Sequence, residues 1–345
     1  MKFFDYFTLF ILALTVANIF TVKSLRIKSA SKRSDFEILV PMRNEAHNVV
    51  ELISNLLQHG GKVLVLNDNS TDDTSKKLGA FKNDINIIEG KPLPGEWLGK
   101  NFACHQLAIN SLSDYLVFLD ADVRLEIGAV SEAIDYLEFK GWDFISPYPK
   151  QVTSGFLQFV LQPLLQWSWF ATIPFFYAYY SPKKSMAVAN GQFFIIKRQA
   201  YLNAGGHKKI KGEVFDDIEL AKSIISVGGK GGPVDGSQIA KCHMYKRDRE
   251  LISGYGKSLW RAFHLNIASL FLALFIFLNL APYLTLSIGI IFLTLSRVLV
   301  GLKVRSNIFS AFFHPFAILG LTALVVYSNY LHATNKLIWK DRTLS

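Results

Sequence analysis

The chain alternates between long apolar stretches without charge and a central part in which short apolar runs end in polar loops. Asp, Glu, Lys and Arg are all missing from four stretches: residues 6–22, 151–182, 262–296 and 306–335. A helix that crosses a bilayer needs about 20 mostly apolar residues. The pattern predicts an N-terminal transmembrane helix over residues 1–23 and a C-terminal membrane region of about three helices over 262–335.

Basic residues next to these stretches indicate their orientation. Lys23, Arg26 and Lys28 follow the first stretch without a small-residue cleavage site, so we expect a retained helix rather than a signal peptide. Positive residues favour the cytoplasmic side of a membrane, which places the N-terminus outside and the next domain inside. We expect a multi-pass protein of the cell (plasma) membrane with a cytoplasmic catalytic domain.

The C-terminal region is harder to orient. Pro282 marks a natural break in residues 262–296, which predicts a tight hairpin of two spans there. Four spans in all would return the tail to the outside, whereas Lys336 and Lys340 favour the inside. The last span or one arm of the hairpin would then lie in the membrane interface.

The central part, residues 35–260, has the pattern of an α/β domain. Apolar runs of strand length, Glu37–Val40, Val63–Leu66 and Tyr115–Leu119, alternate with helix-length segments. Such runs indicate parallel strands joined by crossover helices. Ligands bind beyond the carboxyl ends of the strands in such sheets, and the acidic loops of this sequence follow those ends.

Composition supports a membrane protein rather than a nucleic-acid binder. The 345 residues are 50% hydrophobic and only 19% charged, against about 25% charged in an average soluble domain. The net charge of +10 is then better explained by anionic headgroups than by nucleic acid. Two distant cysteines, Cys104 and Cys242, exclude a disulfide framework.

Three acidic loops follow the three predicted strands: Pro41–Glu45, Asn67–Thr74 and Asp120–Asp122. Paired carboxylates at a strand end can hold a ribose and a divalent cation that bridges phosphates. A single D-x-D is weak evidence, and Ser70, Thr71 and Asp72 are also ordinary helix-capping residues. Three such loops in one sheet are much less expected by chance.

These loops resemble the P-x-R-N-E, N-D-x-S-T-D-x-T and D-x-D motifs of family 2 glycosyltransferases of the GT-A fold. Gly95–Cys104 is similar to a G-W-x-G-K-x-x-A-C segment of a membrane-bound subgroup that glycosylates carotenoids and hopanoids. The resemblance implies a Rossmann-like, mostly parallel GT-A domain with transmembrane helices at both ends. It also implies inverting transfer from a nucleotide-diphosphate sugar, with UDP-glucose expected, and Mg²⁺ or Mn²⁺ as cofactor.

The resemblance also implies site residues. Asp217 would be the general base with Asp216 in the supporting acidic position, although both could simply cap a helix over Ile218–Ser226. Asp122 would be the metal ligand and Asp120 the ribose contact. The other expected nucleotide-sugar contacts are Pro41, Arg43, Glu45, Asp68 and Lys100.

The apolar segment 151–182 lies between the D-x-D and Asp217, so it must return to the face of the membrane from which it started. Gln158, Gln162 and Gln166 form a polar stripe at helical spacing. The helix could therefore lie in the membrane interface, or it could be a core helix of the soluble domain. Either position favours a lipophilic acceptor.

Three residues are expected on the acceptor side. Gln192 and His207 lie in segments that resemble N-G-Q and G-G-H motifs of the family, and Trp260 lies where processive members carry Q-x-x-R-W. That last match is poor, because Trp260 precedes Arg261 and no Gln precedes them. The sequence therefore favours transfer to a membrane lipid. Transfer to a lipid phosphate or a growing polysaccharide, or a catalytically silent membrane scaffold, are the alternatives.

Overall fold

The computed structural model describes residues 2–28, 33–263, 267–339 and 342–343. The chain forms two compact units. The helical unit contains residues 1–23, 151–176 and 245–345, and the sheet unit contains 24–150 and 177–244. Most of segment 151–182, expected as an insertion in a domain over 35–260, is thus grouped with the two ends of the chain.

The strands are β1 Phe36–Met42, β2 Lys62–Asn67, β3 Asn86–Glu89, β4 Tyr115–Leu119, β5 Val123–Leu125, β6 Phe144–Tyr148, β7 Lys150–Gln151, β8 Phe193–Lys197, β9 Gly231–Asp235, β10 Ala240–Cys242, β11 Ile338–Trp339 and β12 Arg342–Thr343. The α-helices are α1 Phe3–Thr21, α2 Val49–Leu56, α3 Thr74–Gly79, α4 Gly99–Asn110, α5 Ala129–Phe139, α6 Phe156–Thr172, α7 Phe175–Ala178, α8 Arg198–Asn203, α9 Gly206–Lys209, α10 Asp216–Ser226, α11 Asp248–Gly256, α12 Leu259–Ala262, α13 Ile267–Leu284, α14 Gly289–Lys303 and α15 His314–Ala333. Short 3₁₀ helices cover Lys184–Met186 and Ile308–Phe313.

The sheet unit contains a seven-stranded sheet in the order β3-β2-β1-β4-β8-β6-β9. β1 pairs in parallel with β2 and β4, and β8 pairs antiparallel with β4 and β6. The three strands predicted from the sequence are confirmed as β1, β2 and β4. Their carboxyl ends lie side by side, because they are parallel neighbours.

Alternating side chains of each strand face the two sides of the sheet, as the period of two in a strand requires. Ile38 and Val40 of β1 belong to a core that also includes apolar residues of α2 and α5. Leu39, between them, belongs to a second core with residues of α4 and α10. The sheet is therefore covered by helices on both faces, which matches the predicted α/β class.

The helical unit contains the candidate membrane helices. By length and hydropathy, Phe3–Thr21 and Ile308–Ala333 could each cross a membrane among the described residues. A further pair of helices passes that test only when the two are counted together: Ser269–Leu284 and Gly289–Lys303. The second helix of this pair is bent by 116° relative to the first. The apolar helices at both ends of the chain agree with the prediction. The expected count of four spans does not, because the described residues contain two candidate spans, or three if the bent pair is one span.

The predicted break at Pro282 is displaced. Pro282 lies inside α13, which continues to Leu284 before the chain turns, with Leu286 at a φ of 46°. Proline lacks an N–H and its ring crowds the carbonyl four residues earlier, but the residues after it can still donate to the preceding turn. The helix can therefore extend two residues beyond Pro282. Asp5 of α1 accepts a hydrogen bond from the Gly289 N–H at 3.1 Å, which ties the first helix to this turn.

Candidate active site

The loops after β1 and β2 interlock at the carboxyl edge of the sheet. Arg43 donates from Nη1 to the backbone oxygens of Asp68 and Asn69, at 2.8 and 2.9 Å. The backbone N–H of Glu45 donates to the Thr74 hydroxyl at 2.8 Å. Asn44 and Asn69 adopt positive φ values of 53° and 52°, a conformation that asparagine tolerates. Three of the residues expected to hold the nucleotide, Arg43, Glu45 and Asp68, thus lie in two loops that are hydrogen-bonded to each other.

The D-x-D carboxylates follow β4. The N–H of Asp120 donates to the Gln192 oxygen at 3.1 Å, which fixes the start of this loop against the loop before β8. Asp122 is held by the residue after β10, because the N–H of His243 donates to the Asp122 backbone oxygen at 3.0 Å. Burial raises the pKa of the Asp122 carboxyl, and the negative charges of Asp120 and Glu45 raise it further.

Asp216 and Asp217 begin helix α10, which starts two residues before the helix expected over Ile218–Ser226. The Asp217 carboxylate accepts hydrogen bonds from the N–H groups of Gly191, at 2.7 Å, and Ile218, at 2.8 Å. Burial raises the pKa of Asp217, and the neighbouring charge of Asp216 adds to this. These two effects outweigh the hydrogen bonds and Lys100, which favour the ionised form.

Lys100 lies in the first turn of α4 and forms ion pairs with Asp120, after β4, and with Asp216, at the start of α10. Its ammonium is 3.0 Å from Asp120 Oδ1 and 3.5 Å from Asp216 Oδ2. Burial alone would lower the pKa of Lys100, but the charges of Asp120 and Asp216 outweigh it, so the net shift is upward. Lys100 is therefore a cation at the carboxyl edge of the sheet.

One pocket of about 290 Å³, counted with its open mouth, is lined by Lys100, Asp120, Asp216 and Asp217 but not by Asp122. Its lining comprises Pro41, Lys100, Cys104, Phe118, Leu119, Asp120, Gly191, Phe194, His207, Asp216, Asp217 and Leu220. The pocket combines apolar walls with a few converging charged groups, as binding sites for small polar substrates do. The predicted base, its acidic neighbour and the predicted ribose contact are therefore brought together.

The D-x-D pair fits a divalent cation. Oδ1 of Asp122 is buried and has no hydrogen-bond partner among the residues that the structure describes. A buried carboxylate oxygen without a partner is costly, and a bound cation would satisfy it. Within the described part of the chain no group of three or more His, Cys, Asp or Glu side chains could hold a metal. Mg²⁺ often needs only one or two carboxylates, with substrate phosphates and water completing its coordination.

The two expected acceptor residues of the sheet unit are both buried. His207 is 3% exposed, with its Nδ1 3.0 Å from the Tyr201 hydroxyl, and it contributes to the floor of the pocket. Burial lowers the pKa of His207 to about 3, so its imidazole is neutral. Gln192 is 6% exposed and precedes β8. Acceptor contact by these side chains stays a prediction.

Trp260, the third expected acceptor residue, belongs to the helical unit. It lies in α12, with its ring stacked on His332 at 3.7 Å between centroids and its backbone N–H donating to the Ser328 hydroxyl at 2.8 Å. These contacts fix α12 against α15. Its role toward an acceptor also stays a prediction.

Two supports of the site were not predicted from the sequence. Gly191 offers its N–H to Asp217, and a Cβ there would lie 3.3 Å from both Asp217 Cβ and Lys100 Nζ, so glycine permits this close approach. The N-G-Q motif was the available signal. The Cys242 thiol is hydrogen-bonded to Asp122, and no sequence pattern linked these residues.

A mostly parallel sheet with carboxylates, a lysine and interlocked acidic loops at one edge defines the nucleotide-sugar transferase class of the GT-A fold. Residues 37–203 match the family model of glycosyl transferase family 2. The chain therefore carries a family 2 glycosyltransferase domain, and the predicted family is confirmed for that domain.

Relatives and solved structures agree with this family. Two 4,4'-diaponeurosporenoate glycosyltransferases, from Staphylococcus haemolyticus and Staphylococcus aureus, are each 24% identical to the chain. The matches cover 64% of this chain and 60% of each relative, so the chain aligns with less than two thirds of their length. A mannosyltransferase from Pyrobaculum calidifontis, solved with GDP-Man and Mn²⁺, has a TM-score of 0.53 at 17% identity and covers 98% of this chain and 100% of its own. That likeness shows the fold.

Proposed function

We propose that the protein transfers one sugar from a nucleotide-diphosphate donor, UDP-glucose being the first candidate, to a membrane lipid with inversion at the anomeric carbon. The lipid would offer a hydroxyl or a carboxyl group, as a carotenoid or a hopanoid does. The observation that carries this proposal is Asp217, a carboxylate of raised pKa held by two N–H groups in the same pocket as Lys100 and Asp120.

Asp217 is suited to act as the general base. In an inverting transfer the acceptor oxygen attacks the anomeric carbon opposite the leaving diphosphate, and a hydroxyl acceptor must lose its proton. A base works best when its pKa lies near the working pH, and burial next to Asp216 moves the pKa of Asp217 upward in that direction. The N–H groups of Gly191 and Ile218 orient the carboxylate, so that it faces the pocket in one position.

The donor would be held by the carboxyl edge of the sheet. Lys100 places a positive charge where the diphosphate leaves, and it would exchange its contacts with Asp120 and Asp216 for phosphate oxygens. Asp120 would accept hydrogen bonds from the ribose, while Pro41, Arg43, Glu45 and Asp68 would surround the nucleotide. Asp122 would hold Mg²⁺ or Mn²⁺, which when bound supplies charge stabilisation to the diphosphate.

A lipid acceptor is supported by the helical unit and by the relatives. The relatives are named for transfer to 4,4'-diaponeurosporenoate. The helical unit carries two helices that could cross a membrane, and large apolar side chains on it are exposed, among them Phe271, Phe277 and Phe316 at 65%, 59% and 63%. We infer a protein of the plasma membrane with the catalytic domain on the cytoplasmic face.

Three membrane crossings, instead of four, would place the basic C-terminal tail on the cytoplasmic side that its lysines favour. If the bent pair Ser269–Leu284 and Gly289–Lys303 forms one broken span, the helical unit crosses the membrane three times. Lys23 and Lys336 would then lie on the same, cytoplasmic side, as the preference of basic residues requires. Labelling of single cysteines placed at these two positions with a membrane-impermeant reagent tests this orientation.

The test of the function is transfer of label into lipid. Purified full-length protein in detergent would be incubated with Mn²⁺, a lipid extract and radiolabelled UDP-glucose, UDP-N-acetylglucosamine or GDP-mannose in separate reactions. We expect organic-soluble label from one donor, and its loss in Asp217→Asn and Asp122→Asn. Release of the label by mild alkali would identify an ester to a carboxyl group, whereas stable label would identify a glycoside of a hydroxyl group.

The control separates catalysis from folding. Asp143, on the far side of the same unit, donates no group to the pocket, and its carboxylate accepts the Lys230 N–H at 2.8 Å. Asp143→Asn should therefore transfer at the parent rate. Equal transfer by the parent and by Asp217→Asn to a hydroxyl acceptor would disprove the base assignment, and label confined to water-soluble polymer would disprove the lipid acceptor.

A further inference from the structure

A buried arginine in the helical unit has no assigned role. Arg297 lies in the middle of α14 and is only 4% exposed. Its Nη2 has no hydrogen-bond partner within the described ranges of the chain. Arginine stays protonated in proteins, so this position carries a full positive charge.

No carboxylate of the helical unit that the structure describes compensates this charge. Those carboxylates are Asp5, Asp248 and Glu250, and each accepts hydrogen bonds elsewhere. Asp5 accepts the Gly289 N–H, Asp248 accepts the N–H groups of Leu157 and Gln158, and Glu250 accepts the Lys246 N–H. A cation buried among apolar helices without a counter-ion is strongly unfavourable, and buried ionisable groups of this kind mark functional positions.

The polar neighbours of Arg297 are neutral and already oriented. Its Nη1 lies 3.4 Å from His314 Nδ1, and His314 Nε2 lies 3.2 Å from the Asn279 side-chain oxygen. Asn279 donates from Nδ2 to the Phe275 oxygen at 2.8 Å. This chain of contacts leaves His314 with its proton on Nε2 and Nδ1 free to accept from Arg297. The network positions the guanidinium, but it adds no negative charge.

The surroundings select the kind of anion that could reach this position. The rings of Trp167 and Tyr283 lie 5.2 and 6.0 Å from the His314 ring, so two aromatic side chains border the polar network. The outer surface of the same helices is apolar, with Phe277 and Ile291 59% and 62% exposed. A guanidinium binds carboxylate or phosphate oxygens in a planar, paired geometry.

We propose that Arg297, positioned by His314 and Asn279, binds a single oxyanion carried by a lipid. The oxyanion is the carboxylate of a long-chain acid or the phosphate of a phospholipid, two sources that share the same recognition chemistry. This site lies within the helical unit and stands whether or not the proposed transfer is correct. Its occupant supplies the negative charge that the described residues lack.

The test is lipid binding to full-length protein in a neutral detergent. The thermal midpoint would be followed against increasing oleate, phosphatidylglycerol, acetate or inorganic phosphate. We expect saturable stabilisation by oleate or by phosphatidylglycerol, and whichever binds identifies the source. Acetate and inorganic phosphate should give no saturable shift, because they lack an apolar body.

Variants decide whether Arg297 is responsible. Arg297→Gln should weaken the apparent affinity by about tenfold or more, as expected for the loss of a charge-assisted contact, and Arg297→Lys should be intermediate. Arg305→Gln removes the same charge from an exposed position in the next loop and should bind as the parent does. Equal affinity in the parent and Arg297→Gln, or saturable binding of neither lipid, would overturn the proposal.

A folding defect in Arg297→Gln would not block the test. Native mass spectrometry can then compare bound lipid in the parent and in Arg297→Lys, which keeps the charge but loses the paired geometry. Equal lipid occupancy in these two proteins at limiting lipid would refute recognition by the guanidinium. Lower occupancy in Arg297→Lys, with normal occupancy in Arg305→Gln, would support it.

Discussion

Replacement of Asp217 by Asn gives a test in which activity and stability should move in opposite directions. The change keeps the shape of the side chain and removes its negative charge. An oxygen remains to accept one of the two N–H groups that Asp217 binds, from Gly191 at 2.7 Å or from Ile218 at 2.8 Å. The variant should fold, and it should lack a group that can take a proton.

The size of the stability effect follows from the pKa. Burial, with the charge of Asp216 second, raises the pKa of Asp217 from 3.8 to about 7. One pKa unit corresponds to about 1.4 kcal/mol, so the folded protein disfavours the ionised carboxyl by at most about 4 kcal/mol. Because the folded state holds the proton more tightly than the unfolded chain, this penalty grows as pH rises from about 4 to about 7 and is constant above that.

The assay combines unfolding with kinetics. Above pH 7, Asp217→Asn should have a higher thermal midpoint than the parent, and the difference should shrink toward pH 4. For a hydroxyl acceptor, parent transfer should rise with pH through about 7, whereas the variant should lose about 10²- to 10⁴-fold and show a flat profile. A variant that keeps the parent's rising profile would refute the role of Asp217. A stability difference independent of pH would refute its raised pKa.

Three further changes test the donor side of the pocket. Lys100→Gln should weaken UDP binding by about tenfold in calorimetry, because a charged contact to phosphate is lost, whereas Lys208→Gln, outside the pocket lining, should not. Gly191→Ala should lower the rate by about tenfold, since its Cβ would lie 3.3 Å from both Asp217 Cβ and Lys100 Nζ; unchanged transfer would contradict this. Chelation of divalent ions should abolish transfer, and added Mn²⁺ should restore it. Asp122→Asn should need at least tenfold more Mn²⁺ than the parent for half-maximal transfer. An equal Mn²⁺ requirement in the two proteins would refute Asp122 as a metal ligand.

Three strands of the seven-stranded sheet were predictable from the sequence because their signals are local. Each of the strands β1, β2 and β4 is a short apolar run with a polar loop after it. Because successive side chains of a strand point to opposite faces of the sheet, such a run supplies apolar side chains to both faces. The antiparallel strand β8 was not predicted, since strand direction depends on partners distant in the chain. The extent of α13 beyond Pro282 was also missed, because packing of the turn on α1 decides where that helix ends.

The candidate site shows the same division. The D-x-D spacing after a predicted strand drew attention to Asp120 and Asp122, whereas Asp216 and Asp217 were implied by the family resemblance. The structure places Asp120, Asp216 and Asp217 around one pocket. The contact between Lys100 and both acidic groups joins positions 100, 120 and 216, and no local pattern encodes such a distance. The burial of Gln158, Gln162 and Gln166 was likewise not evident, because a polar stripe on a helix can face either water or neighbouring helices.

The pairing of α1 with α14 has a consequence for synthesis of the protein. Asp5 accepts a hydrogen bond from Gly289, and Lys303 donates to the Ile19 backbone oxygen at 2.9 Å. Each end of α1 therefore contacts a residue that is synthesised about 280 residues later. At about 5–20 residues per second, the ribosome needs roughly 15 to 60 seconds to make that partner. In the proposed membrane orientation, the first helix stays in the membrane during this interval while its carboxylate, Asp5, lacks its final neighbours. Nascent chains arrested before residue 289 should therefore be the species most exposed to membrane proteases.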